Sequence, residues 1–214
     1  MTRACHDCGG GIGKRFHAWL LSRSSDPREE EIDRRIAPLV AGLSGTIVEI
    51  GPGAGRNLRF YPPGTRWVGV EPNRFLHRYL KRESERVGLE IEILQETAEA
   101  VSLPDRSADA VVGTFVLCSV KDVPQVLREI RRVLRPGGKF CFLEHVAAPG
   151  GTLLSGVQRA VRPVWKALLD GCHPDRDTLR MITQGGFTDI QVESFRLPYA
   201  ILGPHIAGSA RKPL

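Results

Sequence analysis

The sequence predicts an α/β fold: a Rossmann-like, doubly wound, mostly parallel seven-stranded sheet with helices on both faces and cap helices at the N-terminus. Three features lead to this prediction. From Thr46 onward, β-branched runs alternate with segments of helical periodicity, which is the pattern of parallel strands joined by crossover helices. The segment 109–115 is apolar on both faces, as a strand in the middle of a sheet is. Three glycines, Gly51, Gly53 and Gly55, follow the first predicted strand.

The length and composition fit one domain of this class. The chain has 214 residues, of which 42% are hydrophobic and 25% are charged, and such a chain can bury a full core. We expect residues 1–45 to form a tail and cap helices, and residues 46–214 to form the main domain. Residues 1–13 have no hydrophobic period and are predicted to be a loose tail.

Two amphipathic helices are predicted in front of the sheet. Asp26 is placed to cap the second helix and Pro27 to take its first position. The apolar faces indicate packing against the core, with a lid over a ligand or a membrane contact as the alternative. The residues at helical spacing are Phe16, Trp19 and Leu20 in the first helix and Ile32, Ile36, Leu39 and Val40 in the second.

The remaining elements follow in order. Strands are predicted at 46–50, 66–70, 90–94, 109–115, 138–144, 189–195 and 204–210. Helices are predicted after Gly55 and near 73–87, 122–134, 153–170 and 175–184. The turn 135–138, of sequence RPGG, is expected to end the third of these helices and to lead back into a strand.

The helix predicted at 153–170 combines apolar residues with Arg159, Arg162 and Lys166. Such a basic amphipathic segment is expected to pack on the sheet as a connecting helix, and contact with a membrane surface is the less favoured alternative. Pro163 predicts a kink or a break at the preceding residue.

Charge and cysteine content limit the function classes. The net charge is +6 and the calculated pI is near 9.3, but basic residues are scattered among acidic ones and no aromatic residues alternate with them. We therefore expect no nucleic-acid partner.

Five cysteines, an odd number, in a chain with no evident signal peptide predict a reduced, cytoplasmic setting. Cys5 and Cys8 have half of a zinc-site spacing and no second pair follows, so no metal is predicted.

The glycine loop is the candidate binding site. Glycines after a strand let the backbone approach a ligand, although a plain tight turn would use them too. Glu71 ends the second predicted strand, 20 positions after Gly51. An acidic side chain at this spacing is placed to accept hydrogen bonds from both ribose hydroxyls of an adenosine. The two features together predict an adenosine-containing ligand.

The loop sequence narrows the choice of adenosine. It runs G-P-G-A-G where a pyrophosphate-binding loop usually runs G-x-G-x-x-G. Glu49 lies two residues before Gly51, and its carboxylate suits a cationic ligand better than one with two phosphates. S-adenosylmethionine carries both an ammonium and a sulfonium, and it is the predicted cofactor.

The chain resembles a known family at this point. The segments VEIGPGAG, VGVEPN, TAEAVSLPDRSADAVV and LREIRRVLRPGGKFCFLEH, in that order, are similar to the motifs of class I S-adenosylmethionine-dependent methyltransferases. The segments NLRFYPPG, LCSV, EHVAAP, PVWKALLDGC and GPHIAG resemble the membrane-associated thiol S-methyltransferases. Two positions depart from that family, namely Pro52, where Cys or Ala is usual, and Glu71, where Asp is usual. The Glu keeps a carboxylate for the ribose.

The resemblance implies the cofactor contacts. The glycines would line the methionine and ribose parts, Glu49 would lie near the amino group, and Glu71 would hold the ribose diol. Residues 114–119 would pass under the methyl group. The cofactor-binding residues implied are Glu49, Gly51, Pro52, Gly53, Gly55, Asn57, Glu71, Pro72, Asn73, Ala98, Glu99, Thr114, Phe115, Leu117 and Ser119.

The same resemblance implies transfer of a methyl group to a small-molecule acceptor, with a thiol favoured. Methylation of oxygen, nitrogen or a lipid headgroup is the alternative within the enzymes, and a cofactor-binding scaffold without turnover is the alternative outside them. His145, Asp170, His173 and His205 are the candidates for a base or an orienting group. A structural role is the other interpretation for each histidine. Cys118 and Cys172 are interpreted as small core residues.

Overall fold

The computed structural model describes residues 14, 15, 18, 29–169 and 171–214. The helices are α1 (Glu29–Ala41), α2 (Arg74–Val87), α3 (Val123–Val133), α4 (Leu153–Leu168) and α5 (Thr178–Gln184), with a short 3₁₀ helix at Arg56–Phe60. The strands are β1 (Thr46–Ile50), β2 (Arg66–Val70), β3 (Ile91–Leu94), β4 (Ala108–Thr114), β5 (Leu134–His145), β6 (Thr188–Arg196) and β7 (Pro204–Arg211).

The strands form one seven-stranded sheet in the order β3-β2-β1-β4-β5-β7-β6. Strands β1 to β5 are mutually parallel, and β7 runs antiparallel between β5 and β6. The predicted α/β fold class is therefore confirmed. The order of the strands reverses between β1 and β4, so the crevice outside their carboxyl ends is the place where such sheets bind ligands.

The core lies on both faces of this sheet. Alternate residues of each central strand point to opposite faces, so Val48 and Val111 belong to one apolar cluster while Ile47 and Val112 belong to the other. The first cluster includes the buried stripe of α3, and the second includes Trp67 with residues of α1 and α2. Because helices cover both faces of the sheet, the central strands are apolar on both faces.

The second cap helix forms as α1. Ile32, Ile36 and Val40 are buried against the sheet, so its apolar face packs on the core as predicted. The residues that predict the first cap helix, Phe16, Trp19 and Leu20, lie outside the described residues, as do Asp26 and Pro27. Of that segment, Lys14, Arg15 and Ala18 are helical and Ala18 is buried.

Two local predictions need correction. The chain after Gly55 forms only the short 3₁₀ helix, because Gly55 itself has a left-handed backbone (φ 90°) and Tyr61 is already extended. The RPGG segment 135–138 lies within β5 and not before it. The register jumps from the pair Ala108–Leu134 to the pair Ala110–Lys139, so the extra residues form a bulge that Gly137 (φ 74°) accommodates.

Helix α4 departs from its prediction in two ways. It continues through Pro163 without a break. Part of its apolar surface is exposed, since Leu153 is 87% exposed, Val164 64% and Leu168 74%, whereas Leu154, Val161 and Trp165 are half-buried. The buried Gln158 also ties the helix to two loops, accepting from the amide of residue 148 (2.7 Å) and donating to the carbonyl of residue 201 (2.9 Å). No described helix has the length and apolar character needed to cross a bilayer.

Candidate active site

The glycine loop lies at the carboxyl end of β1. Gly51, Gly53 and Gly55 all have positive φ, at 60°, 60° and 90°, and only glycine adopts this region without strain. A Cβ on Gly51 would lie 2.7 Å from the Val116 side chain, so this glycine permits close packing. A Cβ on Gly53 would meet no described atom within 4 Å. Gly53 therefore opens onto free space, as expected where a ligand approaches backbone.

Glu71 closes one side of this loop. Its buried carboxylate accepts hydrogen bonds from the backbone amides of Gly53 (3.1 Å) and Asn73 (2.8 Å). The spacing rule therefore predicted the correct neighbours, since the acid at the end of β2 meets the loop after β1. Asn73 caps α2 through the amide of Phe75 and donates to the carbonyl of Lys14 (3.1 Å). The N-terminal segment thus reaches the side of the site where the adenine is expected.

Glu49 lies behind the loop in a cradle of three donors. Asn57 donates to its Oε1 (2.8 Å), while Tyr61 (2.7 Å) and Trp67 (3.2 Å) donate to its Oε2. Burial raises the pKa of Glu49, and the three hydrogen bonds offset part of that rise. A positive charge placed beside this carboxylate would favour its ionised form.

Asn57 offers the matching acceptor for such a charge. Its amide nitrogen bonds both Glu49 and the hydroxyl of Thr114 (2.9 Å), which fixes the side chain. Its Oδ1 is buried and accepts nothing from the described residues. A buried carbonyl oxygen without a donor is costly, and an ammonium group would satisfy it. With the open space at Gly53 and the acid at Glu71, the site fits S-adenosylmethionine.

The other predicted cofactor residues lie around the group formed by Glu49, Gly53, Asn57 and Glu71. Pro52 is buried against Gly69, and Pro72, which follows Glu71 directly, is half-buried. Ala98 lies in the apolar core. Glu99 accepts from the backbone amide of Lys121 (2.9 Å), which ties the loop after β3 to the turn after β4.

The turn after β4 is strained and tightly held. Phe115 has a left-handed backbone (φ 55°) although it is not glycine, and such strain persists only where the surroundings enforce it. The carboxylate of Glu144 at the end of β5 accepts from the amides of Val116 (2.9 Å), Leu117 (2.8 Å) and Cys118 (3.3 Å). Ser119 closes the turn by donating its backbone amide to Val116 (3.0 Å).

Glu144 was missed by the sequence reasoning. It is fully buried, and burial raises its pKa to about 7 while the three amides and His145 lower it. The only local signal is its position beside His145 at a strand end. Its partners lie 26–28 positions away in the chain, so its role follows from the pairing of β4 with β5.

His145 meets two cysteines in the interior. Its Nε2 lies 3.1 Å from Sγ of Cys172, and its Nδ1 has no partner among the described residues. Hydrogen bonding from the Cys118 thiol, then from His145, lowers the pKa of Cys172 to about 4, against an opposing effect of burial. The pKa of Cys118 is raised, mainly by its contact with Cys172. Both cysteines are buried, and the contact of Cys172 with His145 is a feature that the interpretation as core residues did not include.

This group could in principle hold a metal, since one ligand atom from each of Cys118, His145 and Cys172 lies within 4.8 Å of the others. The Nε2–Sγ distance of 3.1 Å is that of a direct hydrogen bond. Around a tetrahedral zinc, with bonds of about 2.0 and 2.3 Å, the two atoms would be about 3.5 Å apart. The described arrangement is therefore better explained by hydrogen bonding.

His205 pairs with His145 across β5 and β7 and lies in an aromatic enclosure. Its ring stacks on Phe195 (5.3 Å between centroids) and meets Phe115 edge-on (5.8 Å) and Tyr199 at a tilt (5.9 Å). Burial lowers the pKa of His205 to about 4, so its imidazole is neutral at pH 7. Its Nδ1 lies 2.9 Å from the carbonyl oxygen of Gly203.

The remaining catalytic candidates are placed differently. Asp170 lies outside the described residues. His173 is half-exposed and its backbone amide, not its ring, bonds the carbonyl of Cys118 (2.9 Å). Burial and the nearby Arg176 lower the pKa of His173. The structure therefore brings His145 and His205 together and keeps the ring of His173 out of that contact.

Two surface recesses lie away from this site. One of about 280 Å³ lies between α1 and strands β6 and β7, and one of about 300 Å³ lies at the amino ends of β1 and β2. The second is at the sheet edge opposite to the glycine loop. Neither recess contains a residue assigned above to cofactor or acceptor.

The fold and this site define a class of protein. Residues 48–142 match the family model described as a methyltransferase domain. The solved structure of the cyclase SpnF superposes with a TM-score of 0.71 at 18% identity, covering 90% of this chain and 84% of that one, which supports the fold alone. The protein is an S-adenosylmethionine-dependent methyltransferase, and the predicted cofactor is confirmed.

The relatives identify the family. Thiol S-methyltransferase TMT1B of Rattus norvegicus is 36% identical over 218 residues, covering 96% of this chain and 89% of the relative. Phosphatidylethanolamine N-methyltransferase of Cereibacter sphaeroides is 30% identical over 170 residues, covering 77% of this chain and 81% of the relative. The chain belongs to the thiol S-methyltransferase family within these methyltransferases.

Proposed function

We propose that this protein transfers a methyl group from S-adenosylmethionine to the sulfur of a small, uncharged thiol. The observation that carries the proposal is the aromatic enclosure around the neutral His205 at the carboxyl ends of β4 and β5. The relative with the larger coverage is named a thiol S-methyltransferase, and its similarity extends through the segments that build this enclosure.

The cofactor half of the site is formed by β1, β2 and the end of β4. We assign backbone access to Gly53, the ribose diol to Glu71, and the amino group to Glu49 with Asn57. The open space at Gly53, the contact of Glu71 with the glycine loop and the unpartnered Oδ1 of Asn57 support this assignment. When bound, S-adenosylmethionine supplies an electrophilic methyl group on a positively charged sulfur. Residues 114–119 form the adjoining wall, held rigid by Glu144.

The acceptor half is lined by aromatic side chains, since Phe115, Phe195 and Tyr199 surround the imidazole of His205. The guanidinium of Arg35 lies over the Phe195 ring, 3.9 Å from its centroid, so a positive charge borders the enclosure. A cationic acceptor would lose hydration there and would also be repelled by Arg35, whereas a small uncharged thiol loses little hydration. A free thiol with a pKa near 8.5 is only a few per cent thiolate at pH 7, yet it is strongly nucleophilic.

What the protein must supply is therefore positioning and exclusion of water. Holding two reactants in line is worth about 7–11 kcal/mol by the intramolecular analogy. The left-handed Phe115 and the triple hydrogen bonding of Glu144 provide a rigid wall for this purpose.

A panel of acceptors tests the proposal. Purified protein is incubated with methyl-labelled S-adenosylmethionine and small alkyl thiols, an aryl thiol, cysteine, a phenol and an amine, and the products are identified by mass spectrometry. We expect methyl thioethers from the uncharged thiols and a much lower rate with zwitterionic cysteine. Products on oxygen or nitrogen with none on sulfur would refute the thiol assignment. Phe195→Ala serves as the acceptor-side variant, and Glu71→Ala as the cofactor-side variant.

A second candidate acceptor is an ethanolamine phospholipid headgroup. The relative at 30% identity carries that name, and α4 exposes Leu153, Val164 and Leu168 beside Arg159 and Arg162. Vesicles that contain phosphatidylethanolamine are therefore added to the panel. Labelled N-methylated lipid formed faster than any thioether would favour this second function.

A further inference from the structure

We propose that Cys172 is a positioning residue that holds His145 in the Nε2–H tautomer, so that Nδ1 of His145 is the base that takes the proton of the acceptor thiol. This inference rests on the proposed function, since it assigns the proton transfer within thiol methylation. It is argued below from the contacts of the two residues.

The two side chains meet directly and out of contact with bulk water. Nε2 of His145 lies 3.1 Å from Sγ of Cys172, and the residues are 3% and 8% exposed. They come from separate parts of the chain, since His145 ends β5 and Cys172 lies in the loop after α4. His145 is one strand from the turn 115–119 that forms the predicted methyl-side wall.

The direction of this hydrogen bond follows from the other ring nitrogen. Nδ1 of His145 is buried and has no partner among the described residues. If Cys172 donated to Nε2, the ring proton would be on Nδ1 and would be a buried donor without an acceptor, which is rare and costly in proteins. If Nε2 donates to the sulfur, Nδ1 is left with a lone pair. A nitrogen with a free lone pair is what a base requires, and the His145 ring lies 6.5 Å from the ring of His205 in the acceptor half.

The surroundings of Cys172 support the role of its sulfur as hydrogen-bond acceptor. The thiol of Cys118 and the indole N–H of Trp165 both stabilise its anionic form, although the indole N–H completes no hydrogen bond of ordinary geometry. Arg176 adds a positive charge near both cysteines. The arrangement resembles the logic of a Ser-His-Asp triad, with the sulfur of Cys172 in place of the carboxylate.

Other titratable and charged groups pack around this pair without competing for Nδ1. They are Cys118, Glu144, His173, Arg176 and His205. Glu144 is occupied by three backbone amides, and the Nδ1 of His205 lies against a carbonyl. The guanidinium of Arg176 bonds the carbonyls of Leu117 and Val120.

The proton and electron balance of the step is closed. His145 takes the thiol proton on Nδ1, and the acceptor sulfur forms its bond to the methyl carbon as the bond from that carbon to the sulfonium sulfur breaks. The electron pair of the broken bond stays on the former sulfonium, which becomes a neutral thioether. The imidazolium of His145 keeps its hydrogen bond to the sulfur of Cys172, and it releases the proton when the thioether product leaves and water enters the acceptor half.

Substitutions at Cys172 separate this role from a packing role. Cys172→Ser removes the anion at nearly constant shape, and we expect the plateau of kcat for the thiol to fall about 10²-fold, within the range of general base catalysis. KM for S-adenosylmethionine should not change, so the loss should fall on kcat alone. Cys172→Asp supplies an anionic hydrogen-bond acceptor for Nε2 of His145 and should recover part of the rate.

Cys141→Ser is the matched control, since Cys141 is another buried cysteine, on β5, whose thiol faces the carbonyl of Leu39. It should leave kcat unchanged. An unchanged kcat in folded Cys172→Ser, or no rescue by Cys172→Asp, would overturn the inference. If wild-type protein forms no thioether at all, the proposed function fails first, and that result is distinct from these.

A measurement that needs no acceptor checks the tautomer. Two-bond ¹H–¹⁵N spectra of the labelled wild-type protein should show neutral His145 with its proton on Nε2, and Cys172→Ser should change the tautomer ratio. A proton found on Nδ1 would overturn the assignment. So would one equivalent of tightly bound zinc that is lost in Cys172→Ser, because Nε2 would then be a metal ligand.

Discussion

Replacing Glu49 by Gln tests whether the buried acid behind the glycine loop recognises the amino group of the cofactor. The variant can keep its neighbours satisfied. Its Oε1 can accept from Tyr61 and Trp67, and its amide can donate to Asn57 if the Asn57 side chain turns over. The hydroxyl of Thr114 can then donate to the turned Asn57. What the variant loses is the negative charge and the acceptor that Asn57 presents to the ligand.

The expected effect is large because the lost interaction involves a charge. Hydrogen bonds to charged groups contribute about 1.5–3 kcal/mol, so Kd for S-adenosylmethionine should rise about tenfold to a hundredfold. In the ligand-free protein, burial raises the pKa of Glu49 above its unfolded value near 4.5. The contribution of Glu49 to the free energy of unfolding is therefore complete below pH 4.5 and is lost as the pH rises through the folded pKa. Glu49→Gln should therefore be at least as stable as wild type near pH 7.

Binding of a cation reverses the preference of Glu49 for its protonated form. The ammonium group favours ionised Glu49, so the wild-type protein should release protons on binding when the pH lies below the raised pKa. Its affinity should therefore increase with pH up to the raised pKa of the ligand-free protein, by up to about tenfold per pH unit. Glu49→Gln should show neither the slope nor the proton release.

Isothermal titration calorimetry in buffers of different ionisation enthalpy measures both quantities. S-adenosylhomocysteine provides the matched ligand, since it keeps the amino group and lacks the sulfonium charge. Equal losses of affinity for both ligands are expected. A loss confined to S-adenosylmethionine would assign Glu49 to the sulfonium, and an unchanged Kd for both would refute the reasoning.

Three further predictions concern the same site. Glu71→Ala should weaken S-adenosylmethionine binding by about 1–3 kcal/mol, measured by calorimetry against the exposed Glu92→Ala; equal Kd values would contradict the ribose role. Gly51→Ala should lower the melting temperature more than Gly53→Ala, because a Cβ on residue 51 would lie 2.7 Å from Val116. Gly53→Ala should lose more affinity for S-adenosylmethionine relative to its loss of stability. The reverse pattern would contradict the assignment of open space to Gly53. Phe195→Ala should raise KM for small thiols and admit larger ones, with little change in the Kd of S-adenosylmethionine. Steady-state kinetics with thiols of increasing size measures the effect on KM. A changed Kd for the cofactor with an unchanged KM for thiols would place Phe195 in the cofactor half of the site.

The cofactor half could be predicted because its signals are local. The three glycines lie within five positions of one another, and Glu71 lies where a strand of predictable length ends. The glycine loop and Glu71 come together if β1 and β2 pair in parallel, which the alternation of strands and helices already indicates. In the structure this pairing brings Glu71 into contact with Gly53.

Helix α4 shows where periodicity alone is insufficient. Its spacing of apolar residues predicts an amphipathic helix, and the helix forms, but periodicity does not say what covers the apolar face. Two of its contacts to neighbouring loops are hydrogen bonds from Gln158, a residue that no hydrophobic pattern identifies. The exposed Leu153, Val164 and Leu168 are therefore a property of the fold that appears only with the loops in place.

The acceptor half depends on the one antiparallel strand inserted in the sheet. Because β7 returns between β5 and β6, it pairs His205 with His145 and brings Phe195 of β6 onto the same enclosure. The loop after α4 then adds Cys172 to the other side of His145. None of these partners is near another in sequence, and each alone has an ordinary structural interpretation. Their arrangement arises from the insertion of β7, which is why the sequence could name His145 and His205 as candidates by residue type but could not predict how they are arranged.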